Sequence, residues 1–87
     1  MRHTELEQER ATLAKAERDI VDGERRIAEQ EALIERLRLD GQPTDMAEAL
    51  LTTLCGTLDG WRDHRREILR RIDHIIATPD RPAAGKI

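Results

Sequence analysis

Apolar side chains recur every seven residues through the first half of the chain, at Leu6, Leu13, Ile20, Ile27 and Ile34. The position three residues after each of them is mostly small or polar. This heptad spacing predicts one long helix, over about residues 4–39, that packs lengthwise against another helix. A weaker line at Ala14, Val21 and Ala28 is predicted to widen its apolar face.

The second half carries a comparable stripe at Ala47, Leu51, Leu54, Leu58, Trp61, Arg65, Ile68, Ile72 and Ile75. Steps of three and four again predict a helix, over about residues 45–77. Leu50, Cys55, Leu69 and Ile76 flank the stripe and broaden it. A face this broad is better covered in a bundle of three or four helices than by a single neighbour.

A turn is predicted at residues 40–44, between the two helices. Pro43 cannot extend a helix, and Gly41 suits the left-handed position that ends one. Thr44 or Asp45 is expected to cap the second helix, with Glu48 completing a capping box if Asp45 is the cap. Thr4 is expected to cap the first helix in the same way.

Composition limits the size of the core that one chain can form. The 87 residues are enough for one small domain, more than a third of them are charged, and Trp61 is the single aromatic residue. Such small single-core chains are marginally stable without partners. We therefore expect an all-α antiparallel hairpin over residues 1–78 that self-associates, with a dimeric four-helix bundle favoured, and a flexible tail at residues 79–87.

The predicted interaction seam consists of Leu13, Ile20, Gly23, Ile27, Gln30, Ile34, Leu51, Leu54, Leu58, Trp61, Arg65, Ile68 and Ile72. Reflecting the chain about its turn suggests that Gly23 makes room for the Trp61 ring. Arg65 is expected to reach the edge of the seam or to pair with Asp19 or Asp22. A polar residue such as Gln30 in a seam often sets the register or the oligomeric state.

Two further features have alternative interpretations. Gly56 and Gly60 form a small-residue face that could be a dimer contact, or merely a loose part of the helix. The basic cluster at residues 61–71 could contact a polyanion through Arg62, Arg66, Arg70 and Arg71. Acidic residues at helical spacing beside these arginines favour an ordinary solvated face, so nucleic acid is not the expected partner.

The remaining polar residues do not form a recognisable reaction centre. His64 and His74 lie ten residues apart on one helix, which is too far to share an ion within a chain, so the alternative of a metal site requires assembly across a symmetric dimer. Cys55 is expected to be a small buried apolar residue. The sequence offers no catalytic residues, no cofactor-binding motif and no metal-ligand set, and enzymatic activity is not expected.

The first residues lack the apolar core of a signal peptide, and no stretch approaches membrane-spanning length, so a cytoplasmic protein that does not contact membranes is expected. The chain resembles a group of short hypothetical proteins of rhizobia and related alphaproteobacteria in Gly23-Glu24-Arg25-Arg26-Ile27, Gln30, Leu33-Ile34, Leu37, Gly41, Ala49-Leu50-Leu51, Leu58 and His64-Arg65-Arg66. This resemblance implies a bacterial protein but no activity or ligand.

The function expected from these patterns is that of a structural or regulatory interaction module. Its apolar surface would bind a second copy or a helix of another protein. The alternative is a nucleic-acid-associated protein that uses the cluster from Arg62 to Arg71.

Overall fold

The computed structural model describes residues 2–78, with side chains described from Thr4 to Thr78. It consists of two helices, α1 over Arg2–Leu39 and α2 over Asp45–Ala77. The helices run antiparallel and pack along their length, which confirms the predicted all-α helical hairpin. The predicted tail at residues 79–87 lies outside the described residues.

The turn is stabilised by backbone hydrogen bonds that close the end of α1. The amide of Gly41 donates to the carbonyl of Arg38 at 3.1 Å, and the amide of Gln42 donates to the carbonyl of Leu37 at 2.8 Å. Gly41 has a φ of 70°. This pair of bonds around a left-handed residue is a Schellman motif, in which glycine avoids the steric cost of a side chain.

The starts of the helices differ in detail from the sequence prediction. Helix α1 already begins at Arg2, so Thr4 lies inside it. Thr44, not Asp45, occupies the position before α2, and its hydroxyl makes no capping bond to the backbone. Instead, Thr44 Oγ1 donates to Glu48 Oε2 at 2.9 Å. The predicted capping box at Asp45 is therefore wrong, because the Glu48 carboxylate binds the threonine side chain.

The core is a narrow line of side chains between the helices. Ile68 is fully buried, and it forms a cluster with Ala16 and Ile72 against which Leu6, Leu13 and Trp61 pack. Ile20, Ile34 and Leu58 are buried further along the same line. The small side chain of Ala16 allows the two backbones to approach closely where Ile68 inserts.

A single neighbouring helix covers only a narrow stripe, and two sequence predictions fail for this reason. Ala14, Val21 and Ala28 are exposed, with 64% of the Val21 surface accessible, so this line does not widen the seam. Cys55, expected to be buried, is an exposed free thiol. Both sites lie outside the part of each helix that faces the other.

Candidate interaction surface

The residues predicted for the interaction seam lie between α1 and α2. Each of them is buried or half-buried in the hairpin: Leu13, Ile20, Gly23, Ile27, Gln30, Ile34, Leu51, Leu54, Leu58, Trp61, Arg65, Ile68 and Ile72. Within one chain they are covered by the opposite helix. The surfaces left for another molecule are therefore the two edges of the seam and the outer sides of the helices.

Gln30 connects the helices through a hydrogen bond inside the seam. Its Nε2 donates to the carbonyl oxygen of Ala47 at 2.8 Å, and only 8% of the residue is exposed. A buried amide is stable when it is hydrogen-bonded, and this bond forms only when Gln30 and Ala47 are adjacent. Gln30 thus favours one register of the hairpin.

Gly23 lies against Leu58 instead of accommodating Trp61. A Cβ atom added at Gly23 would come 3.3 Å from Leu58 Cδ1 and 3.8 Å from Leu58 Cβ. The expected contact with the Trp61 ring is therefore wrong. The prediction paired residues at equal distances from the middle of the turn. It therefore placed the contact of Gly23 about three residues too far along α2, because it took no account of the geometry of the turn.

The expected pairing of Arg65 with an acid across the seam is also wrong. Asp22 pairs with Arg25 and Arg26, and Asp19 pairs with Lys15, all along α1. Partners three or four residues apart on one helix lie within reach without any tertiary contact. Arg65 is half-buried at the seam.

Two ion pairs between the helices cross one face of the hairpin, and we call it the ion-paired face. Glu24 Oε2 lies 3.1 Å from Arg62, and Glu48 Oε2 lies 3.2 Å from Arg38. Each pair joins α1 to α2. Sequence reasoning missed both pairs, and their signal is that Glu24 and Arg38 recur at multiples of seven along one edge of α1.

The opposite face carries fewer charges, and we call it the Leu50 face. It consists of Thr12, Asp19, Arg26 and Leu33 on α1 and of Leu50, Thr57, His64 and Arg71 on α2, each spaced by seven residues. Arg26, Asp19 and Thr57 line a common groove. The seven-residue spacing continues the same edges to Leu33, Leu50 and His64. Leu50 is 49% exposed.

Trp61 marks the middle of the Leu50 face. The Lys15 ammonium lies 5.3 Å from the centre of its ring, and the His64 ring meets it edge-on with centroids 5.8 Å apart. Both contacts place polar groups around the half-buried indole. On this face the apolar side chains Leu33 and Leu50 lie between Trp61 and the turn.

Each of the four arginines singled out as a polyanion contact has an acidic neighbour. Arg66 pairs with Asp63, and Arg70 lies 2.6 Å from Glu67. Arg71 lies 3.2 Å from Glu9 of α1 and also approaches Glu67. Together with the Arg62–Glu24 pair, these contacts compensate the four arginines singled out as a polyanion site.

Gly56 and Gly60 lie on the outside of α2. A Cβ atom added at either glycine would have no neighbour within 4 Å in the hairpin. Among the described residues, nothing thus requires a glycine at these positions. The dimer contact predicted for Gly56 and Gly60 stays a prediction.

Among residues 4–78, no group of three or more His, Cys, Asp and Glu side chains is placed to hold a metal ion. An open groove of about 530 Å³ at the end remote from the turn is lined by Glu5, Gln8, Glu9, Glu67, Arg70, Arg71, His74 and Ile75. Neither described helix contains an apolar stretch long enough to cross a lipid bilayer.

No protein-family model, curated protein or solved structure matches this chain. The candidate surface is therefore defined by the exposed apolar side chains and by the distribution of charge over the two faces.

Proposed function

We propose that this protein is a non-enzymatic structural or regulatory module that binds a second helical surface, either that of its own copy or that of a partner helix. The observation that carries the proposal is the set of large apolar side chains that the hairpin leaves exposed: Val21, Leu39, Met46, Leu50, Leu69 and Ile76. Water-exposed apolar area of this kind is stabilised when another protein covers it.

The narrow core supports the same proposal. Among the described residues, five Ile and Leu side chains are buried. A core of this size provides little hydrophobic stabilisation for a single chain. Additional burial against a second molecule would raise the stability of such a chain.

Self-association is the form of the proposal that we favour.

A cytoplasmic location fits the single exposed thiol of Cys55, which has no second cysteine in the chain to pair with.

The test is the solution mass of the untagged protein by light scattering over a dilution series, together with thermal unfolding at each concentration. We expect a dimer whose melting temperature rises with protein concentration, since association stabilises the folded state by mass action. A monomer with a concentration-independent melting temperature would contradict self-association and leave only the partner-helix form.

A further inference from the structure

We propose that the Leu50 face binds the Leu50 face of a second copy of this chain, with both turns at the same end of a four-helix bundle. This inference rests on the proposed function and names its surface, its partner and the relative orientation of the two copies.

The distribution of charge distinguishes the two faces. In the half nearest the turn, the Leu50 face presents Leu33, Leu50 and Thr57, with one ion pair, Arg26–Asp22 at 3.1 Å, along α1. At the same level, the ion-paired face presents Glu24, Arg38, Glu48 and Arg62, already paired across the hairpin. Covering paired charges requires their desolvation, whereas covering leucines is favourable. The Leu50 face is therefore the one that a second protein covers at lower cost.

A second copy complements this face position by position. Because the helices are antiparallel, Leu33 lies roughly level with Leu50, and Asp19 lies roughly level with His64. A two-fold axis parallel to the helices places α1 of one copy beside α2 of the other. Leu33 then meets the partner's Leu50, Asp19 meets the partner's His64, and no two like charges are opposed.

The opposite orientation covers the leucines of the face less well, although it would place Asp19 opposite the partner's Arg26. A two-fold axis perpendicular to the helices would place the turns at opposite ends of the bundle. Leu50 would then lie opposite the partner's Arg71, whose guanidinium already pairs with Glu9. Leu33 would lie opposite the partner's Thr12. Apolar side chains would be covered by polar ones, so the arrangement with both turns together buries more apolar surface.

The size of the face is sufficient for a stable dimer. Helix α2 has 33 residues, which corresponds to a length of about 50 Å. Two helices about 10 Å wide then present roughly 1,000 Å² per copy, or about 2,000 Å² in total, above the roughly 1,200 Å² at which specific interfaces begin. The half near the turn alone would bury about 1,000 Å² in total from the two copies, which is below that threshold. The contact therefore has to extend along most of the hairpin.

A matched pair of substitutions on α2 tests the face. Leu50 is 49% exposed on the Leu50 face, and Leu69 is 40% exposed on the other edge of the helix. We expect Leu50→Glu to raise the dimer dissociation constant at least about tenfold, since two buried leucines are replaced by charges. Leu69→Glu, which adds the same charge, should leave the dimer dissociation constant unchanged. Circular dichroism verifies that both variants remain helical.

The outcomes separate this inference from the proposed function. A wild-type dimer that is dissociated by Leu69→Glu but not by Leu50→Glu would overturn the choice of face while the proposed function stands. The same holds for a dimer that neither variant affects. A wild-type monomer at every concentration would overturn the second copy as the occupant.

The orientation is tested with a spin label at Gln42, an exposed position in the turn and outside the face. The label is attached to Gln42→Cys in a Cys55→Ser background. With both turns at one end, the labels should lie within about 25 Å, since they are separated only by the width of the bundle. A separation of about 50 Å or more, approaching the length of the bundle, would overturn the proposed orientation.

Discussion

Gln30 and Gly23 show how single side chains determine the packing of α1 on α2. The Gln30 amide donates across the seam to Ala47, and Gly23 provides the space in which Leu58 lies. One contact is a directional hydrogen bond and the other is purely steric. Both act only in the observed register.

For Gln30, we expect replacement by alanine to lower the free energy of unfolding by about 1–2 kcal/mol, through loss of the hydrogen bond to Ala47 and a cavity in the seam. Glu31→Ala is the matched control, because Glu31 is the exposed neighbour of Gln30. Its effect should stay within about 0.5 kcal/mol. Chemical denaturation at one fixed protein concentration measures both, and equal effects would contradict a specific role for Gln30.

For the glycines, the environment should determine the effect of an alanine. At Gly56 no atom lies within 4 Å of the added Cβ, so Gly56→Ala should stabilise the protein by about 1 kcal/mol through helix propensity. At Gly23, Leu58 Cδ1 lies 3.3 Å from the added Cβ. The buried leucine has to shift, and the gain from Gly23→Ala should be smaller.

Gly23→Val should destabilise the protein, because its branched side chain extends further towards Leu58. Thermal unfolding of the three variants checks this order. A destabilised Gly56→Ala variant with a weakened dimer would instead place Gly56 at an interface. A Gly23→Ala variant as stable as Gly56→Ala would show that Leu58 yields freely.

Along each helix, ion pairs join exposed side chains three and four residues apart. The hydrogen bond from Arg70 holds the pKa of Glu67 below its usual range, and the hydrogen bond from Arg25 does the same for the pKa of Asp22. Each carboxylate therefore binds a proton less readily in the folded helix than in the unfolded chain.

A lowered pKa in the folded state contributes stability above the unfolded pKa, and this stability is lost as the pH falls through the folded pKa. The melting temperature should therefore decrease as the pH falls below the ordinary glutamate value of 4.5. Glu67→Gln should reduce the decrease. Glu31→Gln removes the same charge from a side chain that takes part in no described ion pair. It should reduce the decrease in melting temperature less. An equal effect of both variants would contradict the Arg70 contact as the cause.

Over the molecule as a whole, acidic and basic side chains are interspersed and the formal net charge is −3. Four of the five arginines of the basic cluster face Glu9, Glu24, Asp63 and Glu67. A polyanion would have to compete with these carboxylates and would gain little by releasing counterions.

We therefore expect no binding of the wild-type protein to duplex DNA at about 0.15 M salt, measured by fluorescence anisotropy. The double variant Asp63→Asn, Glu67→Gln frees Arg66 and Arg70, so it should show more binding at low salt than the wild type. Salt-dependent binding of the wild type that is abolished by Arg66→Glu with Arg70→Glu would contradict this expectation.

Much of the fold could be predicted from local pattern. The heptad spacing of Ile20, Ile27 and Ile34 requires a long helix with one buried stripe, and Gly41 with Pro43 requires a turn at that point in the chain. These features depend on residues close together in sequence. The antiparallel hairpin follows because the turn is too short to allow any other connection.

Contacts between the helices could not be predicted in the same way. The level at which Gly23 meets Leu58 depends on the geometry of the turn, and a shift of three residues brings a different side chain into contact. The pairing of Asp22 with Arg25 and Arg26, by contrast, follows from their spacing on one helix and needs no tertiary contact.

The sequence by itself determined the two helices, the position of the turn and the stripe that is buried, because periodicity and backbone preference act locally. Only the tertiary structure decided which residues beside the stripe remain exposed. One helix covers a narrow strip of its neighbour, which leaves Cys55, Val21 and Leu50 accessible. Ion pairs formed across one edge of the seam, at Glu24 and Glu48, whereas Leu50 on the opposite edge stays exposed.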